Sequence, residues 1–347
     1  MNLNFLLYVQ FPPWLKPEVI PGLPVRWYGI MYVFAFATAF FVYRIQVKER
    51  KYPMTDDQLS SLFIWGVSGL LLGARLFSTI IYYPDNTYLF KPWLIFWPFQ
   101  NGKFTGLQGM SYHGGAFGGL LGVILWAKFK RFNFREVADM FSVAIPAGFT
   151  FGRIGNFINA ELYGRATASP LGMLFPDASL LPAGESWVRE IAEKTNIAIT
   201  GAFVNLPRHP SQLYEAVFEG LILWGILWML RRKKPFKGVL LGLYFFGYGF
   251  FRFFIEYFRE PDSHMGYPIE LMKNTLHTAY SHPPLSFSTG QILCFLMMLF
   301  GLIWIIIMSR MPDKEVTYYY SETKEDQTGN DDAAQRNKRR KLRKKLR

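Results

Sequence analysis

Apolar residues along this chain fall into long runs that are interrupted by charged and proline-containing segments. A helix needs about 20 such residues to cross a hydrocarbon layer of about 30 Å, because each residue advances the helix by about 1.5 Å. Seven runs approach this length, so the pattern predicts an all-α integral membrane protein with seven transmembrane helices. The runs cover approximately residues 27–45, 59–82, 109–127, 137–154, 212–230, 238–258 and 289–309.

Basic residues are unevenly distributed among the segments that connect these runs. Clusters of lysine and arginine follow the first, third and fifth runs, whereas the segment after the second run, residues 83–108, contains only Lys91 and Lys103. Short cytoplasmic loops are enriched in lysine and arginine. The alternation therefore predicts an N-terminus outside the membrane and a C-terminus in the cytoplasm.

The segments outside the runs are too short to form a second soluble domain. Residues 1–310 are therefore expected to form one membrane domain. Its outer side would carry a small head over about residues 159–208 and a further excursion over about residues 259–288. Residues 311–347 would form a cytoplasmic polar linker and basic tail, disordered because they contain few apolar residues.

Composition and charge support a membrane protein and exclude a simple nucleic-acid-binding protein. Aromatic residues make up 18% of the chain, more than a soluble core requires. The net charge of +13 falls to +4 without the nine lysines and arginines of residues 336–347. Because the excess charge is local, we expect a membrane partner and no nucleic acid. The basic tail would either contact anionic lipids or remain a solvated tail.

Polar residues inside the runs lie at one level of the predicted bundle. Tyr28 opens the first run and His113 lies near the outer start of the third. Arg153 and Asn156 close the outward-going fourth run, and Arg252 lies about 21 Å along the outward-going sixth. Ionisable groups inside a membrane are costly and by default mark a functional site. The pattern therefore predicts a polar site in the outer half of the membrane.

The arginines predict an anionic ligand, because a guanidinium group matches phosphate oxygens well. Arg153 and Arg252 carry this prediction, and Arg75 could join them or could instead extend toward the interface. Tyr248, Arg252 and Glu256 are spaced four residues apart, so Arg252 and Glu256 can pair on one helix face. The pair could also be purely structural. We expect a phosphate-bearing ligand that resides in the membrane.

A histidine is the candidate base. Histidine accepts protons near neutral pH, and His113 is flanked by Gly114 and Gly115. The glycines could leave room for a substrate, or they could serve close helix packing around a hydrogen-bonded core histidine. Cys294 is the only cysteine, and the chain lacks HExxH and GxSxG motifs. We therefore predict no metal site and no other cofactor.

Five motifs, in order along the chain, resemble landmarks of the bacterial prolipoprotein diacylglyceryl transferases, and the resemblance spans roughly residues 25–265. It implies seven transmembrane helices with a small periplasmic head in the bacterial cytoplasmic (inner) membrane, and an active site facing the outer leaflet. The motifs are RWYGIMY (26–32), GMSYHGG (109–115), GRIGNFINAELYGR (152–165), HPSQLYEA (209–216) and RFFIEYFREPD (252–262).

The resemblance also implies a reaction and roles for the residues. The enzyme would transfer the sn-1,2-diacylglyceryl group of phosphatidylglycerol to the lipobox cysteine of a prolipoprotein signal peptide and release sn-glycerol 1-phosphate. His113 would deprotonate the thiol, Arg153 and Arg252 would bind the phosphate, and Glu256 would orient Arg252. The remaining head-group contacts would come from Asn156, Glu161, Tyr28 and Tyr248.

Two other classes of function remain open. A transporter or flippase for an anionic lipid or phosphate ester also uses intramembrane arginines, although alternating access favours a site near the membrane midplane. A non-catalytic receptor with a polar outer pocket would make His113 dispensable. Two features depart from the family pattern: residues 263–288 are longer than the usual link to the last helix, and the basic tail is unexpected.

Overall fold

The computed structural model is mostly helical. Its helical segments overlap all seven predicted runs, and a few two-residue strands lie outside them. The structure describes residues 7–20, 25–82, 88, 90–100, 102–104, 109–260, 267–270 and 286–311. The predicted tail after residue 311 and most of the 259–288 excursion lie outside these ranges.

The helices occur in the following order. In the first half, α1 spans Trp27–Glu49, α2 spans Asp56–Phe77 and continues as a π-helical turn over Ser78–Tyr82, α3 spans Tyr112–Phe129, and α4 spans Phe134–Ile158. In the second half, α5 spans Ser186–Lys194, α6 (Ser211–Glu215) continues through the π-helical segment Ala216–Ile222 into α7 (Leu223–Leu230), α8 spans Val239–Ile255, and α9 spans Thr289–Ser309.

Among the residues that the structure describes, four helical segments are long and apolar enough to cross a membrane. They are Trp27–Glu49, Asp56–Ile81, Ser211–Leu230 and Thr289–Ser309, and Val239–Ile255 is a shorter apolar helix. This architecture is that of an all-α membrane protein with short strands at its periphery.

Helix ends differ from the predicted runs because capping groups, rather than apolar residues, set them. The Thr55 side chain accepts a hydrogen bond from the Gln58 backbone, so α2 begins three residues before the apolar run. Asn133 caps α4 in the same manner, and Ser111 caps α3. A hydrophobic pattern contains no signal from these polar residues.

Glycines bring α2 and α3 into close contact. A Cβ atom at Gly73 would overlap the backbone oxygen of Gly114, and one at Gly118 would overlap that of Gly69. Small residues allow such close backbone approach between helices in a membrane. The glycines after His113 therefore serve helix packing, one of the two uses considered from the sequence.

The largest core lies at the predicted cytoplasmic end and includes side chains of α1, α2, α3, α4, α7 and α8. Outside the pair of α2 and α3, α1 lies against α4 and α8 lies against α9. This core includes Tyr43, Trp126 and Leu240, which are fully buried. A buried ion pair joins Lys234 Nζ to Asp139 Oδ2 at 2.9 Å, and Asp139 also accepts hydrogen bonds from the backbone of the first turn of α8. Buried apolar side chains and one buried ion pair therefore hold the helices together at this end.

The predicted head forms around its own two small cores. Trp187, Val188 and Ile191 of α5 pack together in one core, and Phe11 and Phe175 pack in the other. Helix α5 supplies apolar side chains to the first of these cores. The strand pairs, each of two residues per strand, are β1 (Val9–Gln10) with β4 (Met173–Leu174), β2 (Phe99–Gln100) with β3 (Lys103–Phe104), β5 (Leu181–Pro182) with β6 (Phe203–Val204), and β7 (Ile269–Glu270) with β8 (Ser286–Phe287).

Candidate active site

Glu215 lies at the centre of a buried ionic cluster, where α4, α6 and α8 meet. Its Oε2 atom is 2.7 Å from Nε of Arg153, and its Oε1 atom is 2.9 Å from Nη1 of Arg252 and 3.0 Å from Nη1 of Arg259. The Glu215 side chain is only 1% exposed. One carboxylate therefore fixes three guanidinium groups, and we call these four residues, together with Glu256, the arginine cluster.

Glu256, just after the end of α8, forms ion pairs with two of these arginines. Its Oε2 atom lies 3.5 Å from Nη2 of Arg252 and 3.7 Å from Nε of Arg259. Ser288, which caps α9, donates a hydrogen bond of 3.4 Å to the other Glu256 oxygen. The pairing of Arg252 with Glu256 that the four-residue spacing predicts is thus present.

Asn156 and Glu161 extend the polar site beyond the arginines. Nη1 of Arg153 donates to Oδ1 of Asn156 at 3.4 Å, and Nδ2 of Asn156 donates to Oε1 of Glu161 at 2.9 Å. Asn159 donates to the same Glu161 oxygen at 3.4 Å. Three polar residues of the GRIGNFINAELYGR motif therefore form a continuous chain of contacts from Arg153.

Two tyrosines line this chain of contacts. The Tyr28 ring packs against Gly155 of α4, and its hydroxyl interacts with Asn156 and lies 3.0 Å from the Tyr32 hydroxyl. Tyr248 packs edge-on against Phe149, and the same Phe149 ring lies 4.8 Å from the Arg153 guanidinium carbon. Tyr28 therefore adjoins Asn156, and Tyr248 is linked to Arg153 through the Phe149 ring.

The backbone around Glu161 has an uncommon conformation. Ala160 and Leu162 have φ angles of 53° and 56°, in the left-handed region that L-residues rarely adopt. Side chains of the HPSQLYEA motif hold this turn: Gln212 donates to the Glu161 carbonyl at 2.5 Å and Ser211 to the Leu162 carbonyl at 3.1 Å. The turn after α4 is therefore fixed by the start of α6.

Backbone hydrogen bonds bring three of the motifs together. The amide of Gly164 donates to the His209 carbonyl at 2.8 Å, and the amide of Arg165 donates to the Phe258 carbonyl at 2.9 Å. A side chain at Gly164 would overlap the Phe258 carbonyl oxygen. Residues far apart in sequence are thus joined next to Arg259, which follows Phe258 and belongs to the arginine cluster.

His209 belongs to this junction and is not a candidate base. Burial, and next the nearby Arg165 charge, lower the pKa of His209 to about 4. Its Nδ1 atom lies 3.3 Å from the Tyr214 hydroxyl, and its ring packs edge-on against Phe258. Because the ring is neutral at pH 7, His209 serves packing and hydrogen bonding.

His113 is placed differently from the arginines. It lies in the first turn of α3, its side chain is exposed, and its ring packs edge-on against Tyr112 with centroids 5.8 Å apart. Tyr112 interacts electrostatically with Tyr248, which lies on the same helix as Arg252. The start of α3 is therefore near the site, although His113 is not a member of the ionic cluster.

Arg75 donates hydrogen bonds to backbone carbonyls. Its side chain is buried and donates hydrogen bonds from Nε to the Ile95 carbonyl and from Nη1 to the Gly109 carbonyl, the latter at 3.1 Å. Arg75 therefore links the end of α2 to the outer segment before α3. The structure does not place it in the arginine cluster.

The predicted set of site residues omits Glu215 and Arg259, which are central to the observed geometry. A signal was present, because Glu215 and Glu219 are charged residues within the fifth apolar run and are spaced four residues apart. Such residues are candidates by the same argument that selects Arg252. In the part of the chain that the structure describes, no group of three or more His, Cys, Asp or Glu side chains could hold a metal ion.

Comparisons with known proteins agree with these motifs. Residues 18–307 match the family described as prolipoprotein diacylglyceryl transferase. The chain is similar to proteins named phosphatidylglycerol–prolipoprotein diacylglyceryl transferase from three bacteria. Identity is 54% for Treponema denticola (87% of this chain, 95% of the relative), 50% for Treponema pallidum (86% and 94%) and 39% for Chlorobaculum tepidum (85% and 91%).

Proposed function

Because the chain belongs to the prolipoprotein diacylglyceryl transferase family, we propose that its arginine cluster binds the phosphate of phosphatidylglycerol during diacylglyceryl transfer. The enzyme transfers a diacylglyceryl group from phosphatidylglycerol to a prolipoprotein, the first step of lipoprotein maturation. The acceptor in this proposal is the lipobox cysteine thiol of the signal peptide, and the released product is sn-glycerol 1-phosphate.

The observation that carries the proposal is the attachment of three arginines to one buried carboxylate. Glu215 contacts Arg153 through Nε and Arg252 through Nη1. Each guanidinium has five N–H donors, so others remain for an anion once these contacts are made. Arginines that are held in place before the ligand arrives lose little conformational entropy on binding it. The arrangement suits a phosphodiester.

The proposed chemistry is a displacement at the glyceryl carbon that bears the phosphate. His113 removes the proton of the substrate thiol, whose ordinary pKa is about 8.5. The thiolate forms a C–S bond as the C–O bond breaks, and the electron pair of that bond goes to the phosphate oxygen. Arg153 and Arg252 stabilise the additional negative charge on the departing glycerol phosphate.

The other predicted site residues hold these groups in position. Glu256 orients Arg252, as its position 3.5 Å from Nη2 supports. Asn156, Glu161, Tyr28 and Tyr248 contact the glycerol head group in this proposal. The only cysteine of the enzyme, Cys294, is buried in α9 and takes no part, because the reacting thiol arrives with the substrate.

In the proposed membrane arrangement all seven helical segments cross the bacterial cytoplasmic (inner) membrane, with the N-terminus outside. Two features support it. The arginine cluster lies at the ends of α4 and α8 that adjoin the head, and the basic clusters follow α1, α3 and α7, at the opposite end. The active site then faces the outer leaflet and the periplasm. A transport path is not proposed, since the charged cluster lies toward one end of the bundle and the opposite end contains the buried apolar core.

Reconstitution tests the reaction and the base together. Purified protein in phosphatidylglycerol vesicles, given a synthetic lipobox peptide, is expected to release glycerol phosphate and to add the mass of a diacylglyceryl group to the peptide. A peptide with serine in place of cysteine should remain unmodified. His113→Ala should reduce the rate by at least about a hundredfold. Transfer that is unaffected by His113→Ala would contradict its role as the base.

A further inference from the structure

Glu219 is a buried acid beside the arginine cluster that the proposed mechanism does not use. It lies in the π-helical segment Ala216–Ile222, four residues after Glu215, and its side chain is 0% exposed. Neither of its carboxylate oxygens has a hydrogen-bond partner among the described residues. Because burying an unpartnered charge is expensive, this acid needs a physical explanation.

The nearest cation of the cluster is already committed to another acid. Nη1 of Arg252 lies 3.7 Å from Oε1 of Glu219, but only 2.9 Å from Oε1 of Glu215. Two carboxylates therefore compete for one guanidinium nitrogen, and Glu215 has the closer contact. When two buried acids share one cation in this way, one of them is favoured in its protonated form.

Charged and titratable groups face Glu219 from each element packed against it. None of them offers it a hydrogen bond, so the protonated form avoids an uncompensated charge. The groups that face Glu219 are Glu215 on its own helix, Arg153 on α4, Tyr244, Tyr248 and Arg252 on α8, Arg259 just after α8, and Cys294 on α9.

The charge of the whole cluster depends on this one proton. Ion pairs connect the three arginines of the cluster with its two glutamates and with Glu219, so these six residues together are neutral when every acid is ionised. Among the charged neighbours, Arg165 offsets Glu161 and Arg208 offsets Glu260, so they do not change the balance. With a proton on Glu219 the cluster carries one positive charge, which complements the single negative charge of a phosphodiester. The connected residues are Arg153, Arg252, Arg259, Glu215, Glu219 and Glu256.

We propose that Glu219 holds a proton when the site is empty and thereby leaves the arginine cluster with one uncompensated positive charge for the phosphate of the lipid. The inference rests on the proposed function of the cluster. Glu219 is a positioning residue, because it acts through Arg252 rather than by touching the substrate. Loss of its proton would place a negative charge 3.7 Å from Arg252 Nη1 and weaken lipid binding.

Glu219→Gln tests this role, since glutamine has nearly the shape of the protonated acid and cannot ionise. Initial transfer rates are measured against the mole fraction of phosphatidylglycerol between about pH 6 and pH 10, at saturating lipobox peptide. The wild-type KM for the lipid should rise by up to about tenfold per pH unit once Glu219 ionises. In E219Q this rise should disappear, with kcat within about threefold of wild type. Glu190→Gln, at an exposed acid of α5, is the matched control and should retain the rise.

A second readout needs no catalysis. The infrared carbonyl band of a protonated carboxylic acid should be present in the lipid-free wild type at pH 7 and absent from E219Q. The proposal is overturned if E219Q fails to fold, if its kcat falls by at least about a hundredfold, which corresponds to about 3 kcal/mol, or if the alkaline rise persists. A wild type that makes no diacylglyceryl peptide would overturn the proposed function instead, and the infrared band would still decide the state of Glu219.

Discussion

Glu215 organises the site at the scale of single residues. Three guanidinium groups approach its two oxygens at 2.7, 2.9 and 3.0 Å, although its side chain is almost fully buried. Removing a carboxylate from such a cluster leaves several positive charges buried without their partner. The position of Arg153, Arg252 and Arg259 therefore depends on this one acid.

Glu215→Gln is expected to lower kcat/KM for phosphatidylglycerol by at least about a hundredfold, because the arginines lose their common anchor. The free energy of unfolding should fall by about 3 kcal/mol. Both quantities are accessible from transfer rates in vesicles and from thermal unfolding in detergent. Glu190→Gln, which removes an exposed acid 2.6 Å from Lys194, should change stability by less than about 0.5 kcal/mol. A wild-type kcat/KM in E215Q would refute the anchoring role.

The individual site residues could be predicted from the sequence only in part. Arg153 and Arg252 are conspicuous because they interrupt apolar runs, and the four-residue spacing is enough to predict the contact between Arg252 and Glu256. The contact between Glu215 and Arg259 joins residues 44 positions apart, so it depends on the way the helices pack. Local periodicity contains no information of that kind.

At the scale of elements, the helices were predictable and their ends and contacts were not. Long apolar runs predict helices well, whereas the π-helical segment Ala216–Ile222 changes which side chains face α8 without any change in hydrophobicity. The use of the glycines near His113 was open for a similar reason. Only the packed structure shows Gly114 and Gly118 against α2.

Gly73→Ala should separate α2 from α3, since the added methyl group would overlap the Gly114 backbone. We expect the free energy of unfolding to fall by about 2 kcal/mol, measured by thermal unfolding in detergent. Gly225→Ala is the matched control, because a Cβ atom there meets nothing within 4 Å. Equal stability of the two variants would show that the close contact is unimportant.

The junction between the head and the bundle should be sensitive to acid through His209. Its pKa in the folded protein is about 4, below the ordinary value of about 6.5, so protons bind the unfolded state more readily. Its contribution to stability is therefore complete above about pH 6.5 and is lost as the pH falls toward 4, by up to about 3 kcal/mol.

Thermal unfolding across this pH range checks the prediction. His209→Gln should be less stable than wild type at pH 7, because it loses the packing against Phe258, but it should lose less additional stability on acidification. If the two proteins lost stability in parallel between pH 6.5 and pH 4, another group would be responsible.

At the scale of the whole molecule, polar chemistry is concentrated at one end and tight packing at the other. The arginine cluster lies below the head, and the opposite end contains the apolar core and the buried pair of Lys234 with Asp139. The lysine and arginine pattern predicts that the second end faces the cytoplasm. This polarity fits an enzyme that takes both substrates from the outer side of the membrane.

The most direct test of the central claim compares Arg153→Ala with Arg44→Ala. Arg153 belongs to the cluster, whereas Arg44 pairs with Asp56 at 2.8 Å in a partly exposed contact far from it in the fold. The measurement is kcat/KM for phosphatidylglycerol in vesicles with a lipobox peptide. We expect R153A to lose at least about a hundredfold and R44A to retain nearly full activity. A folded R153A with wild-type kcat/KM would contradict phosphate binding by the arginine cluster.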